Sequence, residues 1–298
     1  MVEDDWNNYG NSKVTIEDIS QNAAMVQDRK VFVKGKVLDV TLEEGHRLLG
    51  YSDGWVMSSD IDGNLTIRYA ADKKMVEKFS LKRTIATASI KNDLLAVLFT
   101  NNEMALYSIA NKSLLLKEQG DAPIVVNSKI VKPFFRDDLV IFPTLDGKVV
   151  IINTKIKKKL RTVIVSSEDH FNNIIYFDLI DNKIIAATGH KILSLSKKEI
   201  RLAYDIRDVV SDDKNIYVAT KQGDIISLTP DLQQNSKLKF PFAHFLGMII
   251  SGDKLYILEK EGYLIEASKD LSKFKVYEVD KNEGYVYIDD KIFFVHDE

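Results

Sequence analysis

The sequence of 298 residues contains no cysteine. Without a thiol, the chain forms no disulfide, offers no thiolate ligand to a metal and has no cysteine nucleophile. Proline is scarce, with 5 residues, and tryptophan occurs only at Trp6 and Trp55. No apolar run reaches the roughly 18 residues of a membrane-spanning helix. The net charge of −3 at pH 7 argues against a nucleic-acid-binding domain, because such domains are usually basic.

What the chain does contain is a repeated pattern of short alternating strands and polar turns, seen clearly at 211–228 and again at 251–267. An acidic turn, a strand rich in β-branched and aromatic residues, a second turn with Gly or Asn, and another strand recur about every 40 residues. Asp and Asn in the first turn tolerate left-handed backbone, and Gly in the second supplies a positive φ. The pattern predicts an all-β fold, a β-propeller of four-stranded antiparallel blades.

The length accommodates seven or eight such blades. Six of them are predicted directly from the pattern, at 45–82, 84–119, 125–165, 173–207, 208–240 and 245–279. Residues 283–298 supply only one hairpin, and we expect strands at 31–33 and 36–40 to complete it, so that the N- and C-terminal strands close the ring. This closure gives seven blades, the number we predict. Eight blades stay open, because residues 28–32 also resemble an acidic turn followed by a strand.

The N-terminal residues 1–12 are polar and acidic at their start, without the basic and apolar regions of a signal peptide. We expect a flexible leader at 1–12 and a single propeller domain at 13–298. A polar leader of this kind is what remains when an export signal, or a lipidated cysteine with its signal, has been removed. We therefore expect a location in the periplasm or at the periplasmic face of the outer membrane, with the cytoplasm as the alternative.

The repeat resembles that of the quinoprotein-like (PQQ-like) propellers. The residues that carry this resemblance are Asp253-Lys254-Leu255-Tyr256, Glu261-Gly262-Tyr263-Leu264, the turn at Lys269-Asp270 and the strand 275–279. The pattern is most similar to the non-catalytic branch typified by BamB of the outer-membrane β-barrel assembly machinery, over roughly 125–298 and more loosely over 45–119. The resemblance implies an envelope scaffold. Quinone-dependent enzymes of this class use a tryptophan platform and often a vicinal disulfide, so the scarcity of Trp and the lack of Cys argue against them.

No residues form a pattern typical of a catalytic or metal site. The five histidines lie far apart, at His46, His170, His190, His244 and His296, without the spacing of metal ligands. Residues 60–64 begin like a calcium-binding loop but lack its later ligands, which favours a hairpin turn. The basic runs at 155–161 and 197–201 are predicted to protect strand edges. We predict no catalytic residue, no metal, no cofactor and no nucleic-acid partner. A composite site in the central funnel is the alternative.

Two aromatic segments outside the blade pattern are the candidates for partner contact, because aromatic residues and arginine are favoured in interface cores. The predicted contact residues are Phe134, Phe135, Arg136, Phe240, Phe242 and Phe245. Packing of these residues between blades is the alternative. The predicted function is a monomeric, non-catalytic scaffold for protein partners, with a role in outer-membrane protein assembly. The alternatives are an accessory subunit of a periplasmic respiratory enzyme and a propeller enzyme with a composite funnel site.

Overall fold

The computed structural model describes residues 4–6, 15–279, 285–288 and 291–294. Within these ranges the chain is all β, apart from one 3-10 turn at Gln27–Arg29. The chain divides into two compact units: Met1–Lys13 with Ile175–Glu298, and Val14–Ile174. The first strand, β1 (Asp4–Asp5), belongs to the former unit.

The unit Val14–Ile174 contains four antiparallel sheets of four strands each, numbered here as blades 1 to 4. Blade 1 consists of β2 (Ile16–Ile19), β3 (Ala24–Val26), β4 (Lys30–Val33) and β5 (Lys36–Thr41). Blade 2 consists of β6 (Arg47–Ser52), β7 (Trp55–Ser59), β8 (Asn64–Tyr69) and β9 (Val76–Ser80). Blade 3 consists of β10 (Ile85–Lys91), β11 (Leu94–Phe99), β12 (Glu103–Ser108) and β13 (Ser113–Gln119). Blade 4 consists of β14 (Phe134–Arg136), β15 (Leu139–Pro143), β16 (Lys148–Asn153) and β17 (Lys158–Ile164).

The other unit contains blades 5 to 7 and a separate hairpin. Blade 5 consists of β18 (Tyr176–Ile180), β19 (Lys183–Ala187), β20 (Lys191–Leu195) and β21 (Glu199–Ala203). Blade 6 consists of β22 (Ile206–Ser211), β23 (Ile216–Thr220), β24 (Asp224–Leu228) and β25 (Gln234–Lys239). Blade 7 consists of β26 (Phe245–Ser251), β27 (Lys254–Glu259), β28 (Tyr263–Ser268) and β29 (Phe274–Glu278). The hairpin consists of β30 (Tyr285–Ile288) and β31 (Lys291–Phe294).

Burial along the strands explains why these sequences form blades. The middle strands β23 and β24 are buried at every residue, as expected for a strand with protein on both faces. The fourth strand β17 is exposed at all but one position and carries Lys158 and Lys159 of the basic run. Apolar clusters join consecutive blades: Leu65 and Ile67 of blade 2, for example, share a cluster with Val97 of blade 3. Within each unit, consecutive blades therefore bury their apolar residues against one another.

Among the described residues, seven sheets of four antiparallel strands, one of them extended by the parallel strand β1, confirm the predicted seven-bladed propeller. The turn chemistry predicted from the repeat is also present. Gly63, Gly147 and Gly223 have φ values of 82°, 80° and 82°, and the first-turn residues Asn92 and Asp137 have φ values of 54° and 48°. The repeated Gly and Asp or Asn residues therefore mark backbone that most other residues adopt only with strain.

The pairing of the chain ends differs from the prediction in one respect. Residues 31–33 and 36–40 do not complete the C-terminal hairpin, because they pair with each other and with β3 in blade 1. Residues 28–32, the basis for an eighth blade, belong to the same sheet. The short strands β2 and β3 were not recognised in the sequence, which left their partners without a sheet. N- and C-terminal strands nevertheless pair, since β1 lies parallel to β29.

Trp6 anchors this added strand. Its backbone N–H donates to the carbonyl oxygen of Glu278 at 2.7 Å. The indole is buried and makes edge-on contacts with Tyr256 and Tyr277, with ring centroids 6.0 and 5.3 Å away. These contacts lie within the stretch 1–12 that we expected to be a flexible leader. The division into a leader and one propeller domain stays a prediction.

Candidate protein-binding site

The first aromatic segment is built into blade 4. Phe134, Phe135 and Arg136 form the strand β14, pair with β15 and are each half-buried. Phe135 packs against the apolar cluster shared by blades 3 and 4. The preceding Lys132 is also tied down, because its Nζ donates to the carbonyl oxygen of Tyr51 at 3.0 Å and burial lowers its pKa. These residues therefore support the fold and offer little free surface.

The second segment connects blades 6 and 7, and two of its three predicted contact residues pack inward. Phe245 is fully buried at the start of β26. Phe240 is half-buried and packs edge-on against Phe245 and Phe274, with ring centroids 6.3 and 5.0 Å away. Phe240 and Phe245 therefore serve the core of this unit, and Phe242 is left as the exposed aromatic of the segment.

Phe242 lies in a tight turn formed by residues 240–243. The N–H of Ala243 donates to the carbonyl oxygen of Phe240 at 3.2 Å, which closes a four-residue β-turn. Pro241 occupies the second position, where its ring sets a negative φ, and Phe242 has a φ of 67° at the third position. This combination defines a type II turn, whose third position is normally Gly or Asn. We call residues 240–243 the Phe242 turn.

Contacts on both sides hold the Phe242 turn in place. On one side, the N–H of Phe240 donates to the carbonyl oxygen of Gly223 at 2.8 Å. A Cβ on Gly223 would lie 2.1 Å from the carbonyl oxygen of Phe240, so only glycine allows this approach. On the other side, the carboxylate of the buried Glu259 accepts a hydrogen bond from the N–H of His244 at 3.1 Å. The base of the turn is therefore rigid.

The exposure of Phe242 distinguishes it from other residues with similar backbone. Leu232 and Leu271 both have a φ of 58°, but their side chains are only 4% and 6% exposed and pack in the core. Burial of an apolar side chain offsets the strain at those two positions. Phe242 is 95% exposed and gains no such stabilisation from this chain. A strained residue without a structural reason is a candidate for function.

Charged residues surround the base of the turn. Asp224 follows Gly223, and its carboxylate lies 3.2 Å from the Nζ atoms of both Lys237 and Lys239. Burial alone raises the pKa of Asp224, but hydrogen bonds from the two lysines outweigh that effect and lower it. The aromatic residue therefore stands beside a group of paired charges, an arrangement typical of the apolar centre and polar rim of an interface.

The calcium-like loop at 60–64 and the basic run at 155–161 have structural roles. The carboxylate of Asp60 accepts hydrogen bonds from the backbone N–H and the side-chain amide of Asn64, at 2.8 and 2.7 Å, as in a hairpin turn. In the basic run, Lys159 pairs with Glu118 at 2.6 Å. Across the described ranges, no three His, Asp or Glu side chains are grouped closely enough to hold a metal ion. In the same part of the chain, no helix is long and apolar enough to cross a membrane.

Sequence reasoning missed the residues that fix the turn. Gly223 was recognised as a turn glycine, but its close approach to Phe240 depends on the packing of two loops. Glu259 is an acidic residue at the end of a strand, next to the exposed Lys260. The available signal was its position after the apolar residues Ile257 and Leu258, where an acidic side chain requires a hydrogen-bond partner.

The fold is a propeller, and the Phe242 turn presents an exposed aromatic side chain on its surface. The chain belongs to the KIB1-4 beta-propeller family, whose model matches residues 26–298. It is 37% identical over 198 residues to the plasminogen-binding protein PgbB of Helicobacter pylori strain J99, and 36% identical to PgbB of strain 26695. Each match covers 65% of this chain and 36% of the relative. The chain thus spans about a third of the length of these relatives.

Solved structures show the same fold at low sequence identity. BamB from Moraxella catarrhalis has a TM-score of 0.68 and 10% identity, with 95% of this chain and 96% of BamB covered. The computationally designed Ika8 protein has a TM-score of 0.67 and 12% identity, with 97% of this chain and 98% of that chain covered. AztD from Citrobacter koseri has a TM-score of 0.60 and 12% identity, with 90% of this chain and 86% of AztD covered. At these identities the similarities establish the propeller fold alone.

Proposed function

We propose that the chain is a non-catalytic propeller that binds a protein partner through the Phe242 turn. The observation that carries the proposal is an aromatic side chain that is almost fully exposed on a strained backbone fixed from both sides. Burying a phenylalanine is worth about 1.5–3 kcal/mol. Such a residue, whose backbone is held in place before binding, has the properties of an interface hot spot.

The bacterial envelope is the location we propose for this partner. The support comes from the resemblance of the repeat to quinoprotein-like propellers and the fold shared with BamB. This proposal has three parts: membership of the quinoprotein-like repeat class, a lipid anchor and a role in outer-membrane protein assembly. A rigid apolar contact point suits a scaffold that holds one partner in a fixed orientation.

The test is a comparison of three baits in envelope extracts from the native host. The wild-type protein, Phe242→Gly and the control Ile61→Ser are immobilised, and bound proteins are quantified by mass spectrometry. Ile61 is an exposed apolar residue on a hairpin turn of blade 2, which makes it a matched control. We expect one envelope protein to bind the wild type and the control and to be depleted about tenfold or more on Phe242→Gly. Equal recovery on all three baits refutes the role of the turn.

Plasminogen is a second candidate partner, favoured by the 37% identity to a protein named for plasminogen binding. Because the chain spans only part of that relative, the comparison leaves open which part of the relative binds plasminogen. Biolayer interferometry with purified plasminogen and the same three proteins tests this candidate. Saturable binding that weakens in Phe242→Gly supports it, and no binding at micromolar plasminogen eliminates it without affecting the envelope proposal.

A further inference from the structure

A groove in the unit Val14–Ile174 has the properties of a second binding site. It lies between two loops, one before blade 4 at 121–125 and one after it at 166–172, and encloses about 320 Å³. The N–H of Phe171 donates to the carbonyl oxygen of Val125 at 2.9 Å, which links the two loops. A volume at the lower end of the range of ligand sites suits a short segment of a peptide.

The apolar wall of the groove is unusually exposed. Ile124 is 70% exposed, and Val125 and Ile164 are also exposed. Phe171, which links the loops, is exposed and has a φ of 51°. Aliphatic side chains with this exposure, gathered around one cavity, present a surface that is stabilised when an apolar group covers it.

The polar end of the groove holds two buried side chains with unmet hydrogen-bonding capacity. Asn172 and Ser166 line the groove and are buried, and neither Asn172 Oδ1 nor Ser166 Oγ has a hydrogen-bond partner. The amide nitrogen of Asn172 donates to the carbonyl oxygens of Ser166 and Asp146, at 3.0 and 3.2 Å, which fixes the orientation of the amide. Buried polar atoms without partners are rare and require an explanation.

The two unpaired oxygens are covered by protein, so they shape this end of the groove without being accessible to a ligand. Gly147 supports this end of the groove, because a Cβ there would lie 2.3 Å from the amide nitrogen of Asn172. The charges of the lining residues indicate the flanking sequence of the ligand. Asp121, Asp146, Glu168 and Asp169 outnumber the single cation Lys148, which is paired with Asp121 and with Asp146.

We propose that this groove binds an extended, basic peptide segment of a partner, with an aliphatic side chain of the peptide against Ile124 and Ile164 and basic residues on either side. The site is separate from the Phe242 turn and goes beyond the function proposed above. It provides a point of attachment for a flexible, basic region of a protein.

The test uses three N-acetylated and C-amidated pentapeptides with ¹⁵N-labelled protein: Lys-Leu-Lys-Leu-Lys, Lys-Ser-Lys-Ser-Lys and Glu-Leu-Glu-Leu-Glu. Backbone amide chemical shifts are followed during titration. We expect saturable shifts confined to residues 121–125 and 164–172 with the first peptide only. The proposal is overturned if the serine peptide binds equally well or the acidic peptide binds. It is also overturned if the shifts lie elsewhere in the protein or do not saturate.

Variants distinguish a loss of peptide binding at the groove from misfolding and from an effect of the Phe242 turn. Ile124→Ser is expected to weaken binding of the leucine peptide about tenfold, and Ser166→Ala, which removes a covered hydroxyl, to bind it normally. Ser166→Ala removes an unpaired buried hydroxyl, so its thermal stability is expected to equal or exceed that of the wild type. Ile156→Ser, which replaces an exposed isoleucine on a turn of blade 4, and Phe242→Gly are expected to bind the peptide normally. Normal binding by Ile124→Ser contradicts the proposal.

Discussion

Because Phe242 is exposed and has a strained backbone, its replacement by glycine is expected to stabilise the protein. A left-handed conformation costs a residue with a Cβ about 1–2 kcal/mol, and glycine avoids this cost but loses about 0.5–1 kcal/mol in chain entropy on folding. The side chain of Phe242 is 95% exposed, so its removal sacrifices almost no buried apolar area. Phe242→Gly is therefore expected to change the free energy of unfolding by about 0 to +1.5 kcal/mol.

Leu232 provides the matched control, because its backbone is similar but its side chain is buried. Its φ of 58° is also positive, but its side chain is buried in the cluster that joins blades 5 and 6. Leu232→Gly loses that packing and is expected to destabilise the protein by about 2–4 kcal/mol, because loss of a buried leucine outweighs relief of the strain. The two substitutions thus have opposite predicted signs at positions with similar backbone.

Urea denaturation followed by intrinsic fluorescence, together with thermal melting, measures both variants. We expect the melting temperature of Phe242→Gly to match or exceed that of the wild type by up to about 4 °C, and that of Leu232→Gly to fall by several degrees. A loss of more than about 1 kcal/mol in Phe242→Gly would refute the reasoning, since it would mean that Phe242 makes stabilising contacts within the chain.

Three further outcomes follow from the structure. Gly223→Ala places a methyl group against the carbonyl oxygen of Phe240 at a φ of 82° and is expected to cost about 2–3 kcal/mol in urea denaturation; an unchanged midpoint contradicts the close approach. Trp6→Ala removes the buried anchor of β1 and is expected to cost about 3 kcal/mol, whereas wild-type stability would show that the N-terminal strand contributes nothing. Burial raises the pKa of Asp146, but hydrogen bonds from Lys148, Thr144 and Asn102 outweigh it and lower the pKa, so its contribution is present at neutral pH and lost as the pH falls below about 4. Melting curves of the wild type and Asp146→Asn are therefore expected to differ at pH 7 and to become more alike as the pH falls below about 4; a constant difference contradicts this assignment.

The repeat made most of the fold predictable. Gly63, Gly147 and Gly223 mark one turn of three blades because positive φ strongly selects glycine. The blade 1 strands β2 and β3 were missed because they contain only 4 and 3 residues and lack this turn chemistry. Their absence from the prediction led to the wrong partners for 31–33 and 36–40.

The candidate site was less predictable, because exposure is a property of the packed structure. Phe240, Phe242 and Phe245 are indistinguishable by residue type, yet two of them pack inward and one points to solvent. The groove at 121–125 and 166–172 joins two loops that are about 45 residues apart, close to the period of the repeat. Its unpaired oxygens on Ser166 and Asn172 depend on hydrogen bonds that only the folded backbone determines.

The proposed function requires that Phe242 contacts a protein in the cell. A photoreactive phenylalanine analogue incorporated at position 242, with position 61 as the exposed control, measures this contact directly in the native host. We expect irradiation to produce one discrete crosslinked species from position 242 and none from position 61. Equal yields from both positions, or no crosslink from position 242 in intact cells, would contradict the claim.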